Sequence, residues 1–216
     1  TSVLPCGKRI VRDAILFELA RGGQIYVLHN RIETIRTAKD RLEKLLRGTA
    51  FAEAKIGIAH GRMPERELIR VMDEFREGKL DILLATTLIE NGLDISSANT
   101  LIVEDATRLG LAQAHQLRGR IGRGSEQAFA YFLYRSRRLT EKASARLDAL
   151  KAYADLGAGY DIALRDLEIR GAGNILGREQ AGAVNKVGLN LYCQMLADAV
   201  ETISANENAV AEETLP

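Results

Sequence analysis

The segment from residue 116 to residue 124 reads QLRGRIGRG, so that three arginines are interleaved with glycines. No acidic residue lies between Asp105 and Glu126, and the arginines therefore have no neutralising neighbour in the sequence. Guanidinium groups donate paired hydrogen bonds to oxyanions, which suits Arg120 and Arg123 to holding a phosphate. A solvated basic surface is the other interpretation of such a run, and this segment alone leaves both interpretations open.

The residues that precede this segment have helical character, so we expect a helix that continues through the arginines. Residues three and four positions apart share one face of a helix. On that face lie Gln113, Gln116, Arg120 and Arg123. Gly119 and Gly122 lack the side chains that keep a ligand away from the backbone. The sequence therefore predicts one helical face that is suited to bind phosphate, with a solvated basic face as the alternative.

Short apolar segments alternate with amphipathic helical segments along the first 135 residues. The predicted strands cover 24–29, 55–59, 81–85, 100–103 and 128–134, and the predicted helices cover 8–21, 33–47, 64–77 and the arginine segment. This alternation is typical of the α/β class, with a parallel sheet covered by helices on both faces. Ligands of such sheets bind at the carboxyl ends of the strands. We therefore expect functional loops at Asn30-Arg31, His60-Gly61 and Thr86-Thr87, followed by the arginine segment.

The pattern becomes helical after about residue 135. Thr140 is suited to cap a helix that reaches about residue 155, a glycine turn follows at 156–159, and a shorter helix covers about 160–169. These two helices predict a helical hairpin, which a polar loop and a closing helix near 189–204 complete. The acidic tail is predicted to be disordered. We therefore divide the chain into residues 1–135, 136–204 and 205–216.

Composition limits the class of protein. The chain has 216 residues, of which 46% are hydrophobic and 27% charged, and its net charge is +1, so that any site for a polyanion must be a local patch. Cys6 and Cys193 lie far apart, which favours a reducing compartment over a disulfide framework. No apolar run approaches a membrane span and no signal peptide is visible, so we expect a cytoplasmic protein without a membrane partner. Because the chain begins at Thr1 without Met, we interpret it as a fragment of a longer protein.

Several kinds of chemistry lack their residues in this sequence. The phosphate-binding pattern Gly-x4-Gly-Lys-[Ser/Thr] is absent, since Gly7-Lys8 is followed by Arg9. The pair Asp73-Glu74 falls inside a predicted helix rather than at a strand end, so it does not predict a magnesium site. No metal-ligand cluster or Ser-His-Asp set is apparent. The arginines and the loops correspond to the half of a phosphoryl-transfer site that stabilises charge on the γ-phosphate.

Four segments occur in the order of the superfamily 2 helicase motifs. Residues 116–123 resemble motif VI, 26–32 resemble motif IV, 58–63 resemble the DNA-backbone motif that follows it, and 84–95 resemble motif V. The resemblance implies the second RecA-like domain of a motor that hydrolyses ATP with Mg²⁺, both held mainly by a first RecA-like domain. It makes Arg120 and Arg123 arginine fingers for the γ-phosphate and Gln116 the residue that senses this contact. It places Gly92 and Asp94 near the ribose, although a turn glycine and a helix-capping aspartate remain the alternative.

The same resemblance implies contacts with the backbone of one DNA strand. None of the residues resembles a reader of bases, so binding is expected to be independent of sequence and sensitive to salt. Ordinary surface-loop positions remain the alternative for each of them. The implied contacts are Asn30, Arg31, His60, Gly61, Arg62, Thr86 and Thr87.

Residues 155–182 are similar to the "translocation in RecG" motif, which RecG-type remodelling translocases share with the bacterial transcription-repair coupling factors. Gly-Ala-Gly at 171–173, where RecG types usually have Gly-Pro-Gly, favours the coupling factors. The resemblance gives Arg146, Arg170 and Gln180 the role of coupling ATP state to DNA movement, with local ion pairing as the alternative for Arg170. It implies double-stranded DNA, RNA polymerase and the excision-repair machinery as partners, in the nucleoid of a bacterial cytoplasm. A RecG-type remodeller and a non-catalytic binding lobe are the competing interpretations.

Overall fold

The computed structural model describes residues 1–86, 97–122, 127–135 and 139–152. Six strands of the described part form one parallel sheet, in the order β1-β6-β5-β2-β4-β3. The strands are β1 (Ser2–Pro5), β2 (Gln24–Leu28), β3 (Ile56–Ala59), β4 (Ile82–Ala85), β5 (Ala98–Val103) and β6 (Phe129–Tyr134). The helices are α1 (Lys8–Ala20), α2 (Ile35–Leu46), α3 (Glu65–Arg76), α4 (Leu111–Arg118) and α5 (Glu141–Ala152), and Ile32–Thr34 and Ala106–Arg108 form 3-10 turns.

The chain divides into two compact units, Thr1–Ala163 and Leu164–Pro216. All of the described residues belong to the first unit. The predicted hairpin turn, the loop after it, the closing helix and the acidic tail lie outside the described residues. The domain boundaries at 135 and 204 therefore stay predictions.

The first face of the sheet is covered by α1 and α2. Both helices place apolar residues three and four positions apart, and this spacing turns one stripe of each helix towards the strands. The stripe of α2, formed by Ile35, Ala38, Leu42 and Leu46, is at most 1% exposed. It packs in one cluster with Ile25 and Val27 of β2 and with apolar residues of α1 and of the other strands.

The second face of the sheet is also buried. Alternate residues of a strand point to opposite faces, and Tyr26 and Leu83, which lie between the residues of the first cluster, are fully buried. Helix α3 packs against β3 at Gly57, where a Cβ atom would lie 2.5 Å from the side chain of Leu80 and 3.3 Å from Val71. Burial on both faces explains why the strands read as nearly continuous apolar runs. The fold is the expected RecA-like parallel sheet.

Strand β1 was not predicted. It pairs with β6 in parallel, from Ser2 opposite Tyr131 to Pro5 opposite Tyr134, and forms one edge of the sheet. The segment is only four residues long, and its last residue is a proline, which cannot donate to a ladder. Such a segment carries too little periodicity to indicate a strand.

The prediction that a helix continues through the arginines is wrong. Helix α4 ends at Arg118, and the amides of Gly119 and Arg120 close its last turn on the carbonyls of His115 and Leu117. Two glycines within four residues disfavour a helix, because glycine loses the most backbone freedom on folding. Arg120 therefore lies in the turn after α4 and does not continue the helical face that carries Gln113 and Gln116.

Gly122 also differs from its predicted role. Its φ angle is +68°, in the left-handed region that favours glycine, and its amide donates to the carbonyl of Ala98. A Cβ atom on Gly122 would lie 2.1 Å from Cβ of Ala128. The space left by the missing side chain is filled by the chain itself, so it is not open to a ligand.

Candidate functional site at the carboxyl ends of the strands

The loops predicted to be functional begin at one edge of the sheet, because all the strands run in parallel. The ladder continues one residue past the ends of the strands: the amide of His29 donates to the carbonyl of Ala85, and the amide of Thr86 donates to that of Ala59. In the same way the amide of Glu104 donates to the carbonyl of Leu28. The first residue of each of these loops is therefore held as firmly as the strand before it.

Glu104, the residue after β5, is the buried charge of this edge and is 4% exposed. Its carboxylate accepts a hydrogen bond from Arg41 of α2, and Nδ1 of His29 lies 2.5 Å from its Oε2. A guanidinium nitrogen of Arg135, the residue after β6, lies 3.8 Å from the same oxygen. One carboxylate thus joins the ends of β2, β5 and β6 to α2.

The surroundings of Glu104 keep it ionised. Burial acts to raise the pKa of Glu104, but the hydrogen bond from His29 and the charge of Arg41 outweigh it, so that the pKa lies below the ordinary value. A buried charge is tolerated only when it is paired and hydrogen-bonded, and Glu104 meets both conditions.

The loop after β2 is held by two further contacts. Nε2 of His29 lies 2.8 Å from the hydroxyl of Thr34, in the 3-10 turn that precedes α2. Nδ2 of Asn30 donates to the carbonyl of Asp105 at 3.2 Å. Arg31 follows with an exposed side chain. The loop thus presents Arg31 to solvent from an anchored backbone, as a contact with a phosphate requires.

The loop after β3 forms a tight turn. The amide of Met63 donates to the carbonyl of His60 at 3.1 Å, and Pro64 precedes the first residue of α3. The side chain of Arg62 is 70% exposed and lies 3.3 Å from Glu33. Nδ1 of His60 is buried and has no hydrogen-bond partner among the described residues. Gly61 is exposed, so its backbone is accessible to solvent next to the side chain of Arg62.

Thr86 is less accessible than its predicted contact with DNA requires. Thr86 is 3% exposed, and its amide already donates to the carbonyl of Ala59. Its hydroxyl has no hydrogen-bond partner in the described part of the chain. The neighbouring Thr87 lies outside the described residues. In this arrangement the amide of Thr86 is not available to a phosphate.

The arginine segment begins on α4, where Gln116 is exposed. Arg120 is half-buried in the turn after α4 and takes part in interactions within the fold. Burial lowers the pKa of His115, and the charge of Arg118 lowers it further, so that His115 is neutral near neutral pH. The positive charge at the end of α4 therefore comes from Arg118 and not from His115.

Several predicted site residues have no described position, whereas Arg146 lies on α5. Arg146 is half-buried on α5, and its Nε has no hydrogen-bond partner among the described residues. Helix α5 packs on α4, β1 and the 3-10 turn at Ala106–Arg108. The predictions that lie outside the described residues concern Thr87, Gly92, Asp94, Arg123, Arg170 and Gln180.

The contacts of Glu104 with His29, Arg41 and Arg135 were not predicted from the sequence. Their signal was an acid placed immediately after a strand, since Glu104 follows the apolar run of β5 directly. The basic partners Arg41 and Arg135 lie 63 positions before and 31 positions after it, so no local pattern connects them. Only the order of the strands brings the three residues together.

The described residues contain no group of three or more His, Cys, Asp or Glu side chains arranged to hold a metal ion. None of the helices in this part of the chain combines the length and the apolar character that a membrane span needs.

Comparison with known proteins assigns the class. Residues 8–125 match the helicase conserved C-terminal domain, and the chain belongs to that family. Within it, the chain is similar to the transcription-repair-coupling factor of Bacillus subtilis, with 50% identity over 93% of this chain and 17% of that protein. The corresponding factor of Escherichia coli is 47% identical over 94% of this chain and 17% of its own length. The chain thus spans about a sixth of the length of these relatives.

Among solved structures, the chain is similar to RecG bound to a three-way DNA junction. The TM-score is 0.63 and the identity 36%, over 80% of this chain and 22% of the RecG chain. The two comparisons agree on a lobe of a helicase or translocase. Of the two families that residues 155–182 resemble, the coupling factors have the higher identity with this chain, 50% against 36% for RecG.

Proposed function

We propose that this chain is the second motor lobe and translocation module of an ATP-dependent double-stranded DNA translocase that displaces stalled RNA polymerase in transcription-coupled repair. The observation that carries this proposal is the 50% identity with a transcription-repair-coupling factor over nearly the whole chain. RNA polymerase and the excision-repair machinery are then partners of other domains of the same protein, in the bacterial cytoplasm and its nucleoid.

In this proposal the nucleotide lies between two lobes. A first RecA-like domain holds ATP and Mg²⁺, and this chain supplies Arg120 and Arg123 to the γ-phosphate, with Gln116 sensing the contact. Gly92 and Asp94 lie at the ribose. The accessible position of Gln116 on α4 supports this division of labour, since a residue that reaches another lobe must face solvent.

DNA is held by its backbone in the same proposal. Support comes from the exposed side chains of Arg31 and Arg62, each of which follows a strand of the same sheet edge. Phosphate contacts position a protein without reading sequence, which is what a motor that moves along DNA requires. The proposed contacts are Asn30, Arg31, His60, Gly61, Arg62, Thr86 and Thr87, although the buried hydroxyl and engaged amide of Thr86 make it the least supported.

Coupling between ATP and DNA movement is assigned to Arg146, Arg170 and Gln180. The buried Nε of Arg146, without a partner in the described part of the chain, supports a role for this residue in binding another segment. Closure of the cleft between the two lobes once per ATP is the type of conformational step that such coupling needs.

The proposal is tested by Arg123→Ala in the longer protein that contains this chain. Loss of an arginine finger lowers turnover by a factor of about 10³ to 10⁵. We expect ATP hydrolysis and displacement of stalled polymerase to be lost while nucleotide binding is retained. Arg47→Ala, at an exposed arginine after α2, is the matched control and should leave both activities unchanged. Normal turnover by the Arg123 variant would contradict the proposal.

A RecG-type fork remodeller is the second candidate, favoured by the similarity to RecG bound to a three-way junction. The longer protein distinguishes the two candidates, because fork regression without polymerase displacement would identify the remodeller. A non-catalytic DNA-binding or partner-binding lobe is the third. It would be identified by an upstream sequence that lacks the phosphate-binding pattern of a first motor lobe.

A further inference from the structure

A cleft of about 430 Å³ lies between the ends of β2, β5 and β6 and the start of α2. Four arginines and two acids line it, together with neutral polar side chains. The net charge of the whole chain is only +1, so this cleft concentrates positive charge at one place. The charged lining residues are Arg31, Arg41, Arg108, Arg135, Glu104 and Asp105.

The buried acid does not neutralise all of these arginines. Glu104 is engaged mainly with Arg41 and His29. Arg135 reaches it only at 3.8 Å, and its side chain is 51% exposed. Arg108 is 52% exposed and lies 3.8 Å from Asp105, which is too long for a hydrogen bond. Arg31 forms no ion pair with another described residue. Three guanidinium groups thus face solvent around one cleft.

The cleft extends beyond the proposed DNA contacts, of which Asn30 and Arg31 line its β2 side. Those contacts follow β2, β4 and β3, whereas Arg108 and Arg135 follow β5 and β6, on the other side of β2. Neighbouring strands lie about 4.8 Å apart, and β4 and β6 are three spacings apart. The loops after these two strands are therefore separated by about 14 Å. The grooves of B-DNA separate the two phosphate rows by about 6 and 12 Å. A strand bound over β3, β4 and β2 therefore has its partner within reach of the cleft.

We propose that this cleft binds a phosphodiester of the second strand of duplex DNA, with Arg108 and Arg135 as its ligands. The inference rests on the proposed function, which places the first strand at Arg31 and Arg62. Glu104 has a positioning role, because it accepts a hydrogen bond from Arg41 and lies 3.8 Å from Arg135. The cleft then accounts for a preference for double-stranded over single-stranded DNA.

The test is fluorescence anisotropy of the 216-residue chain with a short labelled duplex and with one of its strands. Removing one charge-assisted contact lowers affinity about tenfold, and each lost phosphate contact reduces the slope of log affinity against log salt by about 0.9. We expect Arg108→Ala to lower duplex affinity and its salt slope by these amounts and to leave single-strand affinity unchanged. Arg135→Gln, which keeps a hydrogen-bond donor near Glu104, is expected to act in the same direction.

Two controls separate the possible failures. Arg47→Ala removes an exposed arginine after the carboxyl end of α2, at the opposite edge of the sheet, and should change neither affinity. Arg31→Ala should weaken duplex and single strand alike. If Arg108→Ala weakens both forms equally, or neither, the second-strand site is wrong while the proposed function stands. If the chain binds no DNA, or Arg31→Ala and Arg62→Ala change nothing, the proposed DNA contacts themselves fail.

Discussion

Glu104 fixes the loop between β2 and α2 at the carboxyl edge of the sheet. Burying a carboxylate without partners would cost several kcal/mol of folding free energy. Glu104 can therefore be buried only because His29 and Arg41 contact it. Because His29 directly follows β2 and Arg41 lies in α2, the loop that carries Arg31 is held on both sides. The position of Arg31 therefore depends on the contacts of a buried residue, Glu104.

Replacing Glu104 by Gln should destabilise the fold by about 2–3 kcal/mol at neutral pH, because His29 and Arg41 lose a charged acceptor. The folded-state pKa of Glu104 is lowered, so its stabilisation is present above the unfolded-state pKa, near 4.3, and is lost as pH falls through the folded-state value. Urea unfolding of both proteins should therefore show a difference that is constant from about pH 7 to about pH 5 and shrinks below about pH 4.

The control for that experiment is Glu77→Gln, at an exposed acid that pairs with Lys79. It should change the free energy of unfolding by less than about 1 kcal/mol, since exposed ion pairs contribute little. A Glu104 variant as stable as the wild type at neutral pH would contradict the assignment of this residue as the organising charge.

Gly122 and Gly119 make a matched pair, three residues apart. Gly122→Ala places a side chain at a φ of +68° and 2.1 Å from Cβ of Ala128, so we expect a loss of about 2–4 kcal/mol in unfolding free energy. Gly119 has a φ of −70°, and a Cβ atom there would meet only ordinary contacts at 3.6 Å. Gly119→Ala should be neutral or slightly stabilising, as measured by thermal or urea unfolding. Equal effects of the two substitutions would be inconsistent with the turn described after α4.

At the scale of elements, α5 packs on the edge strand β1 of the sheet that precedes it. Leu147, Ala149 and Leu150 are at most 5% exposed, and the helix packs on β1 and α4. Leu147→Ala should therefore cost about 2–4 kcal/mol and increase hydrogen exchange in both α5 and β1. Asp148→Ala, at an exposed neighbour, is the control and should leave the exchange of β1 unchanged. Unaltered protection of β1 in the Leu147 variant would show that α5 does not support the edge strand.

Most of these elements could be predicted because their apolar spacing is regular. The stripe of α2 and the continuous runs of β2 and β4 are properties of short windows, and the observed bounds differ from the predicted ones by one or two residues. The cap at Thr140 was predicted in the same way, and its hydroxyl accepts from the amide of Ala143. The end of α4 and strand β1 were not predicted, since the first depends on two glycines outweighing a helical pattern and the second on a partner that is 129 positions away.

The candidate site was predictable to the same extent. Parallel strands place their following loops at one edge, so the positions of Asn30, Arg31 and His60 followed from the pattern alone. The contacts that hold those loops did not follow, because Glu104 and Arg41 meet only through the order of the strands. The sequence also did not predict which of these side chains are exposed to solvent, and Thr86 is buried.

At the scale of the whole molecule, the proposed function divides one ATP site between two lobes. The sequence lacks the phosphate-binding pattern of the first lobe, so the 216-residue chain alone should not hydrolyse ATP. A coupled assay of released phosphate, with and without DNA, measures this directly. Adding a first motor lobe in cis should restore turnover, and hydrolysis by the purified chain alone would refute the division.

The pairing of β1 with β6 also has a mechanical consequence. Ser2 to Pro5 lie in parallel register with Tyr131 to Tyr134, so the ladder can carry tension that is applied to the backbone before Ser2 along the strand axis. Under that load the pairs of the ladder are strained together, in shear, rather than broken one after another as in a peeled hairpin. At the other end of β1, the amide of Cys6 donates to the carbonyl of Tyr134, so the ladder continues one residue past the strand. The edge strand is thus built to transmit force into the sheet before it yields.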